Sequence, residues 1–374
     1  MMQLKELNDI LNECKRFAKK EIRDPGPGAD LNPSPEVRQA VWNKSAELDL
    51  PALLLPEVYG GAGYPALCGA MVVDAFSSAC AGFASVFAHH FAACIPLAVR
   101  PVERCENFTP RIAGMEGCGA FPAAVIFPHG EGNNEVCLTE AENGLVLTGT
   151  TQPAGNLNGK GYICIFAGDT VRENGITCLF LEQERLQNAC GENIKLPGLK
   201  INPFHTLRFQ DIPVSKDDII GDRGESHTLM QETRKAFFGF IAAMAIGATR
   251  SAYQKAFSYA GQRYQYGDLI IRHQEIQRML GAMLMKLQLG TAGYTRLFAT
   301  ERLNLPFSVP DPGLTKSFCA DMALEIILDA IQIHGGYGYM HEYGLEKIMR
   351  DVKVLQLIGG SSPRHHIEAI ADQL

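Results

Sequence analysis

The sequence predicts an α+β fold in which a β-domain is set between two helical domains. Three changes of texture along the 374 residues carry that reading. From Met1 to Gly119 apolar residues recur at spacings of three and four. From Ala120 to Glu225 short β-prone runs alternate with Gly, Asn and Pro. From Ser226 to Leu374 the helical spacing returns. The expected domains are therefore 1–119, 120–225 and 226–374.

Each element has its own signal. LKELNDILNECKRFAKKEI and PEVRQAVWNKSAELDL read as amphipathic helices, with Pro35 where a first helical turn tolerates it. The turn PEVYGGAGYPA leads into LCGAMVVDAFSSACAGFASVFAHHFAACIPLAV. That run is apolar almost all round, the mark of a buried helix pair. AAVIFP, GLVLTGTT, GYICIFAG, GITCLFLEQ and TLRFQDIPV follow at spacings that suit an antiparallel barrel or sandwich. Three long helical patterns then begin at His227, Arg272 and, after a PDPG break, Leu314. Their extensive apolar faces imply a helical bundle and an oligomer face.

Composition narrows the function. A net charge of −7 argues against a nucleic-acid binder, which would carry a basic face. No apolar run has the length and flanks of a membrane span, so no membrane insertion is expected. The N-terminus is charged and lacks the apolar centre of a secretory signal. The expected place is the cytoplasm, with a processed mitochondrial matrix form left open. Eleven cysteines include no CxxC pair and sit mostly in apolar settings, which suits buried reduced thiols. His89-His90 and His365-His366 are adjacent pairs; neighbours on a helix point about 100° apart, so no metal site is expected.

The stretch QIHGGYGYMHEYGLEKIMRDVKVLQLIGGSSPRHH, Gln332 to His366, raises the functional question. Its glycine loops would let a backbone come close to a large ligand. Yet no carboxylate stands between Asp351 and Glu368.

Four strings coincide, in order and spacing, with one family. PEVYGGAGY resembles the P-E-x-Y-G-G-x-G turn of the acyl-CoA dehydrogenases. TLRFQDIPVSKDDIIGDRGE resembles that family's last β-domain strands and the loop into its bundle. RYQYGDLIIRHQEIQRMLGAM resembles its R-x-x-F-G…H-Q-x-x-Q-x-x-L-A-x-M stretch, and QIHGGYGYMHEYGLEKIMRDVK its Q-x-x-G-G-x-G-Y…E-x-x-x-R-D motif. The resemblance implies an N-terminal helical domain, a middle β-domain and a C-terminal four-helix bundle, assembled as a tetramer. It implies FAD as cofactor, an acyl-CoA thioester as substrate and electron-transfer flavoprotein as electron acceptor. A carboxylate would remove the α-proton while the β-hydrogen leaves as hydride to the flavin.

The same resemblance nominates the cofactor contacts. Arg263 would bind a phosphate with charge-assisted hydrogen bonds, and Tyr266 would cover the adenine or its ribose. Gln274 and Gln332 offer amide groups. Gly335 and Gly336 would bring backbone N–H groups to the diphosphate, and Ser361 stands in the loop that follows. In the family the adenine-side contacts come largely from a neighbouring subunit.

Departures from the pattern are as informative. The family's Y-E-G-T loop carries the α-proton base; here Ile358, Gly359, Gly360 and Ser361 align with it, so Gly359 holds the base position. A base on the first bundle helix, used by some members, would fall on Phe237, with Glu232 reached only by a gapped alignment. The T-E-P-x-x-G-S-D segment becomes FPHGEGNN, placing Phe127 at the hydroxyl position and Asn133-Asn134 at the Ser-Asp pair. Pro153 replaces the tryptophan of W-I-T-N. The groups that serve a chain's own flavin ring are eroded, whereas those offered to a neighbour are kept. Two readings stay open. One is a non-catalytic subunit of a heterotetramer that completes its partner's FAD site. The other is a self-sufficient flavoenzyme, homotetrameric, with altered chemistry of a desulfinase or elimination type. Such an enzyme would need another group, and the candidates are Asp74, His90, Glu131 and, behind them, His89 and His129; His89 falls where the family often has a histidine.

Overall fold

The computed structural model describes residues 4–100, 112, 121–128, 136–142, 144–157, 160–186, 189, 191–299 and 310–371. His129, Glu131 and the Asn133-Asn134 pair lie outside the described residues, as does the expected 119/120 boundary.

The N-terminal helices are α1 (Leu4–Phe17), which runs on through a wider turn at Ala18–Ile22, α2 (Pro25–Leu31) and α3 (Pro35–Ala46). Ser34 caps α3: its hydroxyl accepts the Val37 N–H at 3.3 Å, and Pro35 takes the first helical position. The apolar run folds as α4 (Ala66–Ser77) and α5 (Ala81–Val99), both almost wholly buried. Above them runs α6 (His227–Ala260), 34 residues long. Its middle, from Ala236 to Thr249, is buried all round. Small residues there let α4 and α5 press on one side while α7 (Gln274–Leu297) and α8 (Pro312–His334) press on the others. α9 (Leu345–Leu355) and α10 (Ser362–Ala371) close the bundle. A hydrophobic core runs without a break from Cys14 to Ile358, through the N-terminal helices, one face of the β-domain and the bundle.

The β-domain is a mixed sheet, and among the described residues it does not close into a barrel. Strands β1 (Ala124–Ile126), β2 (Cys137–Ala141), β3 (Gly144–Thr150), β4 (Tyr162–Asp169), β5 (Gly175–Glu182), β8 (Arg208–Val214) and β9 (Ile219–Ile220) run in the order β8-β3-β2-β4-β5-β9, with β1 also on β4. The expectation of an antiparallel barrel or sandwich is corrected at β4. Both β1 and β2 pair with it in parallel, Ala124 opposite Ile163 and Cys137 opposite Gly168. Parallel neighbours need a long crossover, and β3 with the chain that follows it supplies one. Two short ladders stand apart: β6 (Asn193–Ile194) with β7 (Phe204–His205), and β10 (Tyr264–Gln265) with β11 (Asp268–Leu269).

One part of the membrane expectation, that no apolar run is long enough to span, needs correction among the described residues. α5 and α6 are long and apolar enough to cross a membrane by length and composition. Both are buried within the protein, whose apolar core gives them that composition. No disulfide joins the described cysteines to one another, and all but Cys137 are buried.

Candidate functional site

The loop between α9 and α10 holds position 359, and α8 pins it. Lys316, wholly buried, donates from Nζ to the carbonyl oxygens of Gln356 at 2.9 Å and Gly360 at 2.6 Å. Asp321, one turn further along α8, accepts the Gln356 amide at 2.7 Å. Burial brings the Lys316 pKa down to about 8. Gly359 (φ 72°) and Gly360 (φ 120°) both use backbone conformations that L side chains rarely adopt.

The space a side chain would need at 359 is already taken. A Cβ built on Gly359 would stand 2.6 Å from Cε1 of Phe238. The Phe238 ring is buried, edge-on to His365 at 4.9 Å between centroids, with the Arg234 guanidinium 5.1 Å over its face. Arg234 and Arg364 both bond Glu368, at 2.7 and 2.6 Å, and His365 Nδ1 lies 3.3 Å from it. Burial acts to raise the Glu368 pKa, but the Arg364 hydrogen bond and the Arg234 charge prevail and hold it at about 2. The first carboxylate after Asp351 is thus a poor proton acceptor.

Phe237 faces the other way. Its ring lies 5.2 Å from His89 and 5.7 Å from Phe127, centroid to centroid. Phe127 stacks on Phe166 at 5.7 Å, and His89 stands edge-on to Phe204 at 5.2 Å. A continuous train of rings therefore joins α5, α6 and the sheet. Pro153 sits just past the end of β3, between two bonds to the neighbouring segment: Thr151 N–H bonds the Leu207 carbonyl at 2.8 Å and Ala154 N–H that of His205 at 3.0 Å. A proline between them costs no backbone bond. Glu232 lines a separate cleft of about 590 Å³ with Tyr64, Ile95 and Lys235.

The described substitute bases are engaged in structure. His90 Nδ1 accepts the Ala123 N–H at 3.1 Å, so Nε2 carries the proton and donates to the Pro51 carbonyl at 2.8 Å. His89 Nδ1 meets the Ser85 carbonyl at 2.8 Å. Burial pushes the pKa of each down to about 4. Asp74 accepts the Tyr294 hydroxyl at 2.7 Å and is paired with Arg250. Removing one partner of a buried ion pair strands the other. Because the Arg250 side chain is 38% exposed, the cost is at the low end: Asp74→Ala is expected to lose about 3 kcal/mol, read as a fall in the urea midpoint with an unchanged slope.

The nominated adenine-side residues are on the surface. Gln332, Gly335 and Gly336 are exposed at the end of α8, and a Cβ on either glycine would meet nothing within 4 Å. Gly335 takes φ 59° and ψ −135°, a region for glycine alone. The Arg263 guanidinium lies 5.9 Å over the Tyr337 ring, so the structure brings it to this turn. Tyr266 is 95% exposed at the tip of the β10–β11 hairpin, whose two turn residues have positive φ, 52° at Tyr266 and 86° at Gly267. A bulky residue in that conformation is strained by about 1–2 kcal/mol. Gln274 opens α7 just beyond the hairpin, also exposed. Ser361 belongs to the 359 loop instead, its carbonyl accepting the His365 N–H at 3.2 Å. The Phe238–Gly359 contact and the Lys316 clamp carry no sequence signal beyond the glycines themselves.

Comparison with known proteins agrees with this architecture. The N-terminal domain profile of the acyl-CoA dehydrogenases matches residues 5–115 and the C-terminal domain profile residues 239–374. A probable acyl-CoA dehydrogenase of Bacillus subtilis is 27% identical, covering 99% of this chain and 98% of its own. The acryloyl-CoA reductase (NADH) of Anaerotignum propionicum is 26% identical over 87% of this chain and 84% of its own. The butyryl-CoA dehydrogenase structure from Megasphaera elsdenii superposes with a TM-score of 0.83 at 23% identity, covering 98% of each chain. The chain belongs to the acyl-CoA dehydrogenase family.

Proposed function

We propose that this chain takes part in FAD-dependent oxidoreduction of an acyl-CoA thioester as a subunit that completes a neighbour's flavin site. Its own α-proton base position is silent. The carrying observation is the Phe238 ring in the side-chain space of Gly359. Glu368, the first carboxylate after the loop in sequence, is held ionised by two arginines.

The residues present fit one end of FAD better than the other. Gly335, Gly336, Gln332 and Arg263 form an open surface of backbone and side-chain donors, suited to an adenosine diphosphate arriving from outside. The strained, exposed Tyr266 supports the same reading. At the ring end, Phe127, Phe166 and Phe237 offer no hydrogen-bond donor. When bound, FAD supplies the hydride acceptor; this chain's part is to hold the adenine end. Exposed Leu284, Met285 and Leu289 on α7 and Leu314, Phe318 and Leu328 on α8 support an oligomer built through the bundle. The partner would be a homologous subunit bearing the glutamate, the electron acceptor electron-transfer flavoprotein, and the setting the cytoplasm.

Flavin content tests the proposal. Alone, the chain is expected to hold well under one FAD; co-expressed with a glutamate-bearing homologue, the complex fills. Arg263→Ala should leave the unfolding midpoint of this chain unchanged yet weaken FAD retention in the complex by about 10- to 100-fold, the worth of one charge-assisted contact. Near-stoichiometric flavin and turnover in the isolated chain would end this reading in favour of an independent enzyme.

A further inference from the structure

A cleft of about 710 Å³ lies between α2, the joint of α4 and α5, the C-terminal half of α6, and α9. None of the nominated flavin contacts lines it. Cys80 does, at the capping position before α5. The Lys347 ammonium donates to the Cys80 Sγ at 3.3 Å and to Asp351 at 2.6 Å. Burial acts to lower the Lys347 pKa, but the Asp351 and Cys80 charges prevail and raise it, so the ammonium stays charged at neutral pH. A neighbouring ammonium and a helix N-terminus are the surroundings in which a cysteine reacts as a thiolate. Three other buried thiols are set differently. Burial pushes Cys14 and Cys319 up to about 12 and raises Cys164 as well.

Two further observations point to a ligand. Asp30 lines the same cleft and is only 2% exposed. Its Oδ2 accepts from Arg350 at 2.7 Å, while its buried Oδ1 has no donor among the described residues. A buried acceptor left without a donor is costly, and a donor brought by a ligand would satisfy it. At the exposed rim, Lys255 has its pKa lowered first by burial and then by the charge of Arg23. Lys255 donates to the Tyr343 carbonyl at 2.8 Å, and no carboxylate pairs with either cation among the described residues. The cleft therefore presents two cations at its mouth, one unmet acceptor in its wall and one nucleophilic sulfur.

We propose that this cleft captures a low-molecular-mass disulfide bearing carboxylates and an ammonium, and that Cys80 exchanges with it to form a mixed disulfide. The carboxylates meet Arg23 and Lys255, and the ammonium meets Asp30. The Cys80 thiolate attacks one sulfur of the ligand. A new S–S bond to Cys80 forms as the original one breaks, and the departing thiolate takes up the proton that Cys80 gave up. The ligand disulfide is itself the oxidant, so no other co-reactant enters.

The test treats the reduced full chain with oxidised glutathione and locates adducts by peptide mass mapping. Uncharged 2-hydroxyethyl disulfide is the neutral probe. The expected result is a dithiothreitol-reversible adduct at Cys80 whose rate of formation saturates with oxidised glutathione. In R23Q/K255Q the half-saturating concentration should rise at least about 10-fold, the worth of one charge-assisted contact, while the rate with the neutral probe stays the same. Both cations are exposed, and an unchanged unfolding midpoint verifies that the variant folds. No adduct at Cys80, a rate there that stays linear in oxidised glutathione up to about 10 mM, or an unchanged half-saturation in the variant overturns the proposal. Its failure would leave the Arg263 prediction untouched.

Discussion

Gly359→Glu is expected to destabilise the fold by about 5 kcal/mol or more and to restore no dehydrogenase activity. Three costs add. A non-glycine residue at φ 72° costs about 1–2 kcal/mol. Its Cβ would sit 2.6 Å from Phe238 Cε1, and because Phe238 is buried against His365, relief by moving the ring costs about 1–3 kcal/mol. The new carboxylate would also be pressed against the Phe238 ring, with the nearby Arg234 already bonded to Glu368, a penalty of several kcal/mol. The Lys316 bonds to Gln356 and Gly360 keep the loop from stepping aside.

Phe238→Ala separates these costs. Alone it should cost about 3–5 kcal/mol, as a buried phenylalanine lost to a cavity. Combined with Gly359→Glu, the total should fall well short of the sum, since the cavity accepts the glutamate. That gives a coupling of about 2 kcal/mol or more in a denaturant double-mutant cycle. Strict additivity would show that Phe238 does not fill the side-chain space at 359. It would remove the main support for a silent site.

What the sequence made legible follows from how far apart the determining residues are. Helix after helix was readable because periodicity is local: Ser34 and Pro35 announce α3, and the apolar runs announce α4, α5 and α6. That Gly359 aligns with the family's base position was readable because it stands at a fixed offset from the R-D pair. That the side-chain space at 359 is already filled was not readable, because Phe238 meets Gly359 only through the packing of α6 against the α9–α10 loop. Strand direction failed for a related reason. Alternation tells which residues face inward, not that β1 and β2 lie alongside β4 in parallel. Asp74 and His90 looked like candidates since chemistry alone nominates acids and imidazoles. Their partners, Tyr294 and Arg250 for one and Pro51 and Ala123 for the other, come from distant segments.

The buried histidines predict how the protein responds to acid. His89 and His90 have an ordinary pKa of 6.5, and burial lowers each to about 4 in the folded state. Between those values the unfolded chain binds protons that the native chain refuses, so stability falls as pH falls. The contribution is complete above pH 6.5. At pH 5 each histidine should already have cost about 2 kcal/mol, and below pH 4 about 3 kcal/mol. His205, His334 and His365 are shifted in the same direction by burial and add to the loss. Glu368 acts lower: its pKa falls from an ordinary 4.5 to about 2, so its contribution is present above 4.5 and disappears only as pH drops toward 2. Urea titrations at pH 7, 6 and 5 should therefore show a loss of about 4 kcal/mol from the two α5 histidines before the carboxylates titrate. A flat profile from pH 7 to 5 would mean that both rings take up protons in the native state as readily as in the unfolded chain. The His90 bond from Ala123 N–H would then be impossible, because a protonated Nδ1 cannot accept it. The same titration that measures stability thus tests whether His90 is a neutral strut between α5 and the sheet or a charged group free to do chemistry.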